Sequence, residues 1–281
     1  MTTPPVPPRA EPFFLDGAPG RRFCLFHPPA NPCRGGVLYV HPFAEEMNRS
    51  RRMAALQARA LAALGYGVLQ IDLYGCGDSS GDFGDASWAH WQADLALGAA
   101  WLQARMDRPP ILWGLRLGAL LALDHARRAA QPPQAMILWQ PVLNGATHLT
   151  QFLRLRVASA MLDDGAQTST GALRQALQAG ETVEVAGYDL APALAGALDA
   201  LDPLERMAPP CPVHWFEAVA GPQADAGLPP GAARAAAAWR DGGAALHLHA
   251  LPCPPFWTTP EITVCQAWLD ATSAALREHR S

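Results

Sequence analysis

Short apolar runs alternate with longer segments of helical periodicity along most of this chain, and that alternation is the strongest constraint on its fold. The runs that predict strands are Gly36 to His41, Gly67 to Asp72, Pro110 to Gly114, Ala135 to Gln140, Pro212 to Glu217 and Ala245 to Leu251. The segments that predict helices are Arg51 to Leu64, Ala86 to Arg105, Leu117 to Ala130, Gly231 to Asp241 and Glu261 to Glu278. This order predicts an α/β fold with a mostly parallel central sheet and helices on both faces.

Both ends of the chain add to this pattern. Pro12 to Leu15 and Arg21 to His27 flank a turn-forming segment and predict a hairpin. In the last helical segment, apolar residues recur at helical spacing and predict one buried stripe. Its members are Ile262, Cys265, Trp268, Leu269 and Leu276.

Residues 143–204 differ from the rest, because helical patterns prevail there and strand signals are weak. The segment follows one predicted sheet strand and precedes the next, which is where such folds insert a lid over the site. We therefore predict an inserted helical cap at 143–204 and a core domain made of 1–142 and 205–281.

Composition excludes several functions. Of the 281 residues only 16% are charged, the net charge is -4, and no charge blocks occur, so neither nucleic acid nor a basic membrane patch is indicated. No apolar run approaches the length of a membrane span. All 21 basic residues are Arg, so Schiff-base and Ser-Lys chemistry are excluded. We expect a small-molecule or protein partner.

The cysteines indicate a reducing environment. The six are scattered without Cys-x-x-Cys spacing or histidines at zinc-site intervals, so we expect no metal and no cofactor. The first twelve residues are rich in proline and lack a signal-peptide pattern. We predict a bacterial cytoplasmic location and leave the oligomeric state open.

The segment Gly114-Leu115-Arg116-Leu117-Gly118 has the outline of the Gly-x-Ser-x-Gly nucleophile elbow, with Arg116 in place of the serine. A buried strand precedes it and an apolar helix follows, which is the context that this motif requires. A guanidinium stays protonated and cannot act as a nucleophile. The elbow is therefore predicted, without its nucleophile.

Two upstream motifs accompany the elbow. Val40-His41-Pro42-Phe43 ends a strand, and Asp72 to Gly81 has the pattern D-x-x-G-x-G-x-S-x-G. In this order the three motifs resemble the α/β-hydrolase superfamily, from about Glu11 to Glu278. The resemblance implies an oxyanion-hole loop at Phe43, with the backbone N–H groups of Phe43 and Leu117 directed at one point.

More narrowly, three strings resemble the exosortase A system-associated hydrolase 2 family. They are His41 to Asn48, Gly114 to Ala119 and Pro255-Phe256-Trp257. That family is named from its genomic neighbourhood beside exopolysaccharide and protein-sorting genes of bacteria. The resemblance implies a hydrolase-like protein in exopolysaccharide-linked metabolism, with a possible protein partner there, and gives no substrate.

The other two triad positions are also altered. The loop after Pro212 to Glu217 offers only Asp225 as an acid, later than expected, and the loop Pro252 to Trp257 contains no histidine. His247 and His249 lie within the predicted strand instead. Because loss of triad members removes most of the rate, ordinary serine-hydrolase activity is not expected.

Arg116 admits two interpretations. Its planar guanidinium suits capture of a carboxylate or phosphate, which predicts an anion-binding or acyl-binding pocket that includes Arg116, Leu117, Phe43, His41 and Glu45. Alternatively, Arg116 pairs with Glu45 or Glu46 and fills a vestigial pocket.

Three functions follow. The first is a pseudo-hydrolase that binds a small anionic or acyl ligand. The second is an esterase, thioesterase or acyl transferase with a non-standard site drawn from His41, Glu45, Cys76, Asp78 and Arg116. The third is a non-catalytic scaffold that binds a partner protein. His41 as a loop anchor, and Asp78 as part of a capped turn, are the alternatives to a role in the site.

Overall fold

The computed structural model describes residues 9–30, 32–162, 168–219 and 228–278. Its strands are β1 Glu11–Asp16, β2 Arg21–His27, β3 Gly35–Val40, β4 Tyr66–Ile71, β5 Ile111–Leu115, β6 Met136–Trp139, β7 Val183–Val185, β8 Tyr188–Leu190, β9 Val213–Val219 and β10 Leu246–Pro252. Its helices are α1 Glu45–Ala63, α2 Trp88–Met106, α3 Leu117–Arg128, α4 Gly145–Leu162, α5 Thr170–Gln178, α6 Pro192–Ala200, α7 Pro230–Asp241 and α8 Gln266–Glu278.

Eight of these strands form one sheet in the order β1-β2-β4-β3-β5-β6-β9-β10. The pairs from β4 through β10 are parallel, while the β1–β2 hairpin joins β4 antiparallel. The central strands β3, β5 and β6 are buried along their whole length, as expected of parallel strands covered on both faces. The predicted α/β-hydrolase fold with a mostly parallel sheet is confirmed.

Apolar side chains fill both faces of the sheet. One cluster lies with α2 and α3 and includes Leu38, Leu69 and Leu120, and the other lies with α1 and α8 and includes Trp113 and Trp268. The aromatic rings of Trp113, Trp139 and Trp268 are in edge-to-face contact in the second cluster. The strands that carry the site are therefore held from both sides.

Two of the predicted helix starts are wrong. α1 begins at Glu45, before the predicted Arg51, and its first turn contains Glu45 and Glu46, whose charge suits a helix N-terminus. α8 begins at Gln266, after the predicted Glu261. As a result Ile262 is not part of the buried stripe and is 71% exposed, whereas Trp268 is fully buried.

The chain between β6 and β9 contains α4, α5, the two-stranded hairpin β7–β8, and α6. The hairpin was not predicted, because its strands of three residues are too short for a visible alternation. This segment contacts the core through α4, α6 and β8; the side chain of Phe152 in α4 packs edge-to-face on Phe43, and Tyr188 in β8 on Phe83. The division into core and cap domains stays a prediction.

A buried ion pair joins the N-terminal hairpin to α2. Arg22 in β2 donates from Nε to Asp94 Oδ1, and both side chains are almost completely buried. The other carboxylate oxygen of Asp94 accepts a hydrogen bond from the backbone N–H of Tyr74. Asp94 therefore also fixes the turn after β4.

Within the described ranges no group of three His, Cys, Asp or Glu side chains is arranged to hold a metal ion. All six cysteines lie in these ranges and none is in a disulfide. None of the helices in this part of the chain has the length and apolar character needed to cross a membrane.

Candidate functional site

The turn between β5 and α3 has the geometry of a nucleophile elbow. Arg116 stands alone between strand and helix with φ 55° and ψ -119°, a conformation that non-glycine residues rarely adopt. A Cβ atom on Gly114 would lie 2.4 Å from the Cα of Ala119, and one on Gly118 would lie 2.4 Å from the carbonyl oxygens of Val40 and His41. Glycine is therefore required at both positions, and the predicted strand–turn–helix context of the motif is present.

The Arg116 side chain is held on one edge and one face. Its Nε donates a hydrogen bond to Glu46 Oε1 at 3.2 Å, and its guanidinium lies 5.5 Å from the ring centre of Trp257. Among the described residues no acceptor pairs with its two terminal nitrogens. The guanidinium is thus oriented by Glu46 and Trp257, and its two terminal nitrogens remain available as hydrogen-bond donors to a ligand.

Glu46 is the carboxylate that meets Arg116, and Glu45 is not. Burial raises the pKa of Glu46, although the Arg116 charge and hydrogen bond act in the opposite direction. Its second oxygen, Oε2, is buried and has no partner in the described part of the protein. The carboxyl group of Glu46 therefore takes up a proton more readily than an exposed glutamate does.

Arg116 opens into a cavity of about 420 Å³, which we call the elbow cavity. The side chains that line it are mostly polar and include Arg116, Gln140, Asn144, His148, Gln151 and Glu217. This volume is in the range of small-molecule sites. The predicted pairing of Arg116 with Glu46 is present, and the two interpretations of Arg116, as an anion receptor or as a plug, both stay predictions.

His148 in α4 forms the wall of the elbow cavity on the side of the cap. Its side chain is 7% exposed, and neither ring nitrogen has a hydrogen-bond partner among the described residues. Burial, with a smaller contribution from the Arg116 charge, lowers the pKa of His148 to about 3. This residue was not singled out from the sequence, where a lone histidine in a helical segment gives no signal.

A buried carboxyl group forms the opposite wall. Gln140 Nε2 donates to Glu217 Oε1 at 2.8 Å, and Trp215 Nε1 donates to Glu217 Oε2 at 2.8 Å. Burial raises the pKa of Glu217, while these two hydrogen bonds and Arg116 act to lower it. Glu217 lies within β9, in the strand after which the family pattern places the acid, and sequence reasoning missed it.

The backbone N–H groups of Phe43 and Leu117 were expected to face one point. Both residues line a cavity of about 10 Å³, room for about one water molecule. No hydrogen bond from either N–H group to another described residue is present. Both amides therefore lack a protein acceptor in the part of the chain that the structure describes, and their convergence on one point stays a prediction.

Two of the expected site residues have structural roles. His41 Nε2 accepts from the backbone N–H of Leu73 at 3.2 Å, and its Nδ1 lies 2.8 Å from the carbonyl oxygen of Pro42. Both nitrogens are thus occupied in anchoring the loop. Cys76 is buried beside the small cavity, and burial together with the charges of Asp72 and Asp94 raises the pKa of its thiol far above the ordinary value. It supplies no thiolate near neutral pH.

The remaining candidates lie away from Arg116. Glu45 accepts a hydrogen bond from the Tyr188 hydroxyl of β8 at 3.1 Å and is half exposed. Asp78 lies in an exposed turn, where its backbone N–H donates to Asp72. Asp225, the acid expected from the sequence, is outside the described residues.

The histidines of β10 are also remote from the elbow. His249 Nε2 lies 3.2 Å from His214 Nδ1, and the ring of His247 stacks on His214. These rings line a different cleft against α8. The loop after β10 brings Trp257, and no histidine, to Arg116.

The sheet, the elbow and the segment inserted after β6 define an α/β-hydrolase-fold protein. Residues 31–185 match the family described as serine aminopeptidase, S33, and the chain belongs to that family.

Among curated proteins, the lysophosphatidylserine lipase ABHD12 of Gallus gallus is 32% identical over 112 residues. The match covers 38% of this chain and 28% of that protein. The ABHD12 of Rattus norvegicus is likewise 32% identical over 112 residues, which cover 38% of this chain and 27% of that protein. The chain therefore aligns with less than a third of the length of these relatives.

Solved structures show the same fold. Est1E from Butyrivibrio proteoclasticus with bound ferulic acid has a TM-score of 0.66 at 17% identity, with 95% of this chain and 98% of that chain covered. The mouse α/β-hydrolase domain-containing protein 10 has a TM-score of 0.62 at 14% identity, with 96% and 98% covered. At these identities the similarity shows the fold alone.

Proposed function

We propose that this chain is a pseudo-hydrolase that binds a small anionic or acyl ligand in the elbow cavity, with Arg116 as the anchor of the anion. The observation that carries the proposal is the arginine itself. It occupies the elbow, is oriented by Glu46 and Trp257, and keeps its terminal nitrogens available beside a polar cavity of about 420 Å³.

The charged and hydrogen-bonding groups around the elbow cavity support the binding of an anion at Arg116. Burial raises the pKa values of the two nearby carboxyl groups, Glu46 and Glu217, so both take up a proton more readily than exposed carboxylates do. Phe43 and Leu117 line the small cavity, and their N–H groups have no acceptor among the described residues. Guanidinium and backbone N–H groups together are the donors that bind carboxylate and phosphate oxygens.

The biological setting is proposed from the resemblance of three sequence strings to the exosortase A system-associated hydrolase 2 family. One of these strings contains Trp257, whose ring contacts Arg116. We propose on this basis that the ligand belongs to exopolysaccharide-linked metabolism in a bacterial cytoplasm, and that a protein partner takes part in the same metabolism.

Membership in the serine aminopeptidase family favours a second candidate, hydrolysis of an ester or thioester by a non-standard site. Of the residues first considered for it, His41 has both nitrogens engaged and Cys76 has a raised thiol pKa. The binding function is therefore better supported than the enzymatic one.

The test compares ligand binding with turnover. Inorganic phosphate and propionate are titrated into the wild-type protein, Arg116→Gln and, as a control, Arg154→Gln, whose side chain is exposed on α4 and outside the cavity. We expect binding by the wild type and the control and a loss of about tenfold or more in Arg116→Gln. Turnover of p-nitrophenyl acetate or acetyl-CoA by the wild type, lost in Arg116→Gln, would overturn the proposal in favour of the enzyme.

A further inference from the structure

His148 is a buried hydrogen-bonding group that nothing in the protein satisfies, as far as the structure describes it. His148 is only 7% exposed, and neither Nδ1 nor Nε2 has a hydrogen-bond partner among the described residues. Its ring packs edge-to-face on Phe43 at 5.6 Å between centres, so its position is fixed. Buried polar atoms without partners are uncommon, so the unused hydrogen-bonding capacity of His148 in the wall of the elbow cavity calls for an explanation.

The imidazole is uncharged in the folded protein. Burial and the Arg116 guanidinium lower its pKa to about 3, so no second cation faces the cavity from this wall. A neutral imidazole presents one N–H donor and one lone pair. A hydroxyl group both donates and accepts hydrogen bonds, whereas a carboxylate only accepts them.

The rest of the cap-side wall is uncharged, and all of it except Leu143 is polar. Asn144, Thr147 and Gln151 lie within one turn of His148 on the chain and line the same cavity. Arg116 lies on the core side. The cavity therefore combines Arg116, Arg234 and Glu217 on the core side with neutral hydrogen-bonding groups on the other.

We propose that His148 is a specificity-determining residue that binds a hydroxyl group of the ligand while Arg116 binds its anionic group, so that the ligand class is a hydroxylated small anion, either a hydroxycarboxylate or a polyol phosphate. This inference rests on the proposed anion-binding function and deepens it by naming the ligand class.

The experiment uses matched pairs of probes that differ by hydroxyl groups. Affinities of the full chain are measured by calorimetry for 3-hydroxypropionate against propionate and for glycerol 3-phosphate against propyl phosphate. We expect the wild type to bind at least one hydroxylated probe about five- to tenfold more tightly than its partner. The pair that shows the preference identifies the anion as carboxylate or phosphate.

Variants at position 148 separate a ligand contact from a packing role. His148→Phe keeps an aromatic ring against Phe43 and removes both nitrogens. The ratio of the affinities for the hydroxylated and the deoxy probe should therefore fall to about one, while the affinity for the deoxy probe is kept. His148→Gln retains a donor and an acceptor and should restore part of the preference. Melting temperatures of both variants check that they are folded.

The outcomes distinguish the two proposals. If the wild type binds the probes without preference for hydroxyl groups, or if His148→Phe keeps the preference, the inference about His148 is wrong and the anion-binding function stands. If neither anion of either pair binds the wild type, both proposals are wrong. Loss of binding to all probes in Arg116→Gln supports the anchor independently of His148.

Discussion

Ala44 and Arg116 share one unusual backbone conformation, with φ 49° and ψ -130° at Ala44 and φ 55° and ψ -119° at Arg116. Each residue immediately precedes a helix, α1 or α3, and follows one of two neighbouring parallel strands, β3 or β5. The two turns carry the residues on either side of the small cavity, Phe43 and Leu117. The site is therefore built from a pair of similar sharp turns rather than from one.

The positive φ at position 116 predicts a difference between two truncations. Arg116→Ala and Arg116→Gly remove the same ion pair with Glu46, but only glycine adopts this backbone without strain. We expect Arg116→Gly to be more stable than Arg116→Ala by about 1–3 kcal/mol, measured by urea unfolding. Equal stability of the two variants would show that the turn is not strained.

Gly118→Ala should destabilise the protein because its Cβ would meet two backbone oxygens at 2.4 Å. We expect a loss of about 1–3 kcal/mol or more in the free energy of unfolding. Gly196→Ala in α6 is the control, since nothing lies within 4 Å of its Cβ. Alanine is favoured over glycine in a helix by about 1 kcal/mol, so the control should be neutral or stabilised.

Two arginine–aspartate pairs should respond differently to the same substitution. Arg22→Met leaves the carboxylate of Asp94 buried without its cation, and we expect a loss of about 3–5 kcal/mol in thermal or urea unfolding. Arg128→Met removes a pair whose arginine is 69% exposed and should cost less than about 1 kcal/mol. Similar losses in the two variants would contradict this assignment of the buried pair.

Acid should destabilise the protein through His148. Its pKa is about 3 when folded and near 6.5 when unfolded, so the unfolded chain binds the proton more tightly. The free energy of unfolding therefore falls as the pH drops from about 6.5 toward 3. Between pH 7 and pH 4.5, the free energy of unfolding measured in urea should fall by about 2–3 kcal/mol less in His148→Phe than in the wild type. Parallel pH profiles of the two proteins would refute this.

Tyr188 connects the β7–β8 hairpin to the start of α1. Its hydroxyl donates to Glu45 and accepts from Asn48 at 3.4 Å, and Tyr188→Phe deletes only this hydroxyl. Because such bonds contribute about 0.5–1.5 kcal/mol, we expect amide exchange in residues 183–190 to accelerate by about two- to tenfold. Exchange in β3 and β5 serves as the internal reference and should not change.

The sheet and the elbow could be predicted because their signals are local. Buried parallel strands need continuous apolar runs, and the elbow needs Gly114 and Gly118 beside a residue in an unfavourable conformation. The start of α1 was missed because the apolar pattern begins later than the helix. The acidic pair Glu45 and Glu46 was the available signal, since carboxylates favour a helix N-terminus.

The contents of the site depend on contacts that no local pattern encodes. The sequence left Glu45 and Glu46 equally plausible as partners of Arg116, and only the direction of each side chain on α1 separates them. The position of His148 depends on how α4 crosses the elbow. Glu217 lies inside a strand and becomes part of the cavity wall only through the pairing of β6 with β9.

Trp257 stands in the loop where the α/β-hydrolase resemblance implies a histidine, and its ring lies against the guanidinium of Arg116, at the position where that resemblance implies a serine. The residues at positions 116 and 257 are thus in direct contact, so a substitution at one changes the surroundings of the other. A serine placed at 116 would meet an indole with no basic nitrogen, and a histidine placed at 257 would meet a permanent cation that disfavours its protonation. Under the proposed pseudo-hydrolase function, neither single substitution would create a serine–histidine pair, and both would be needed together.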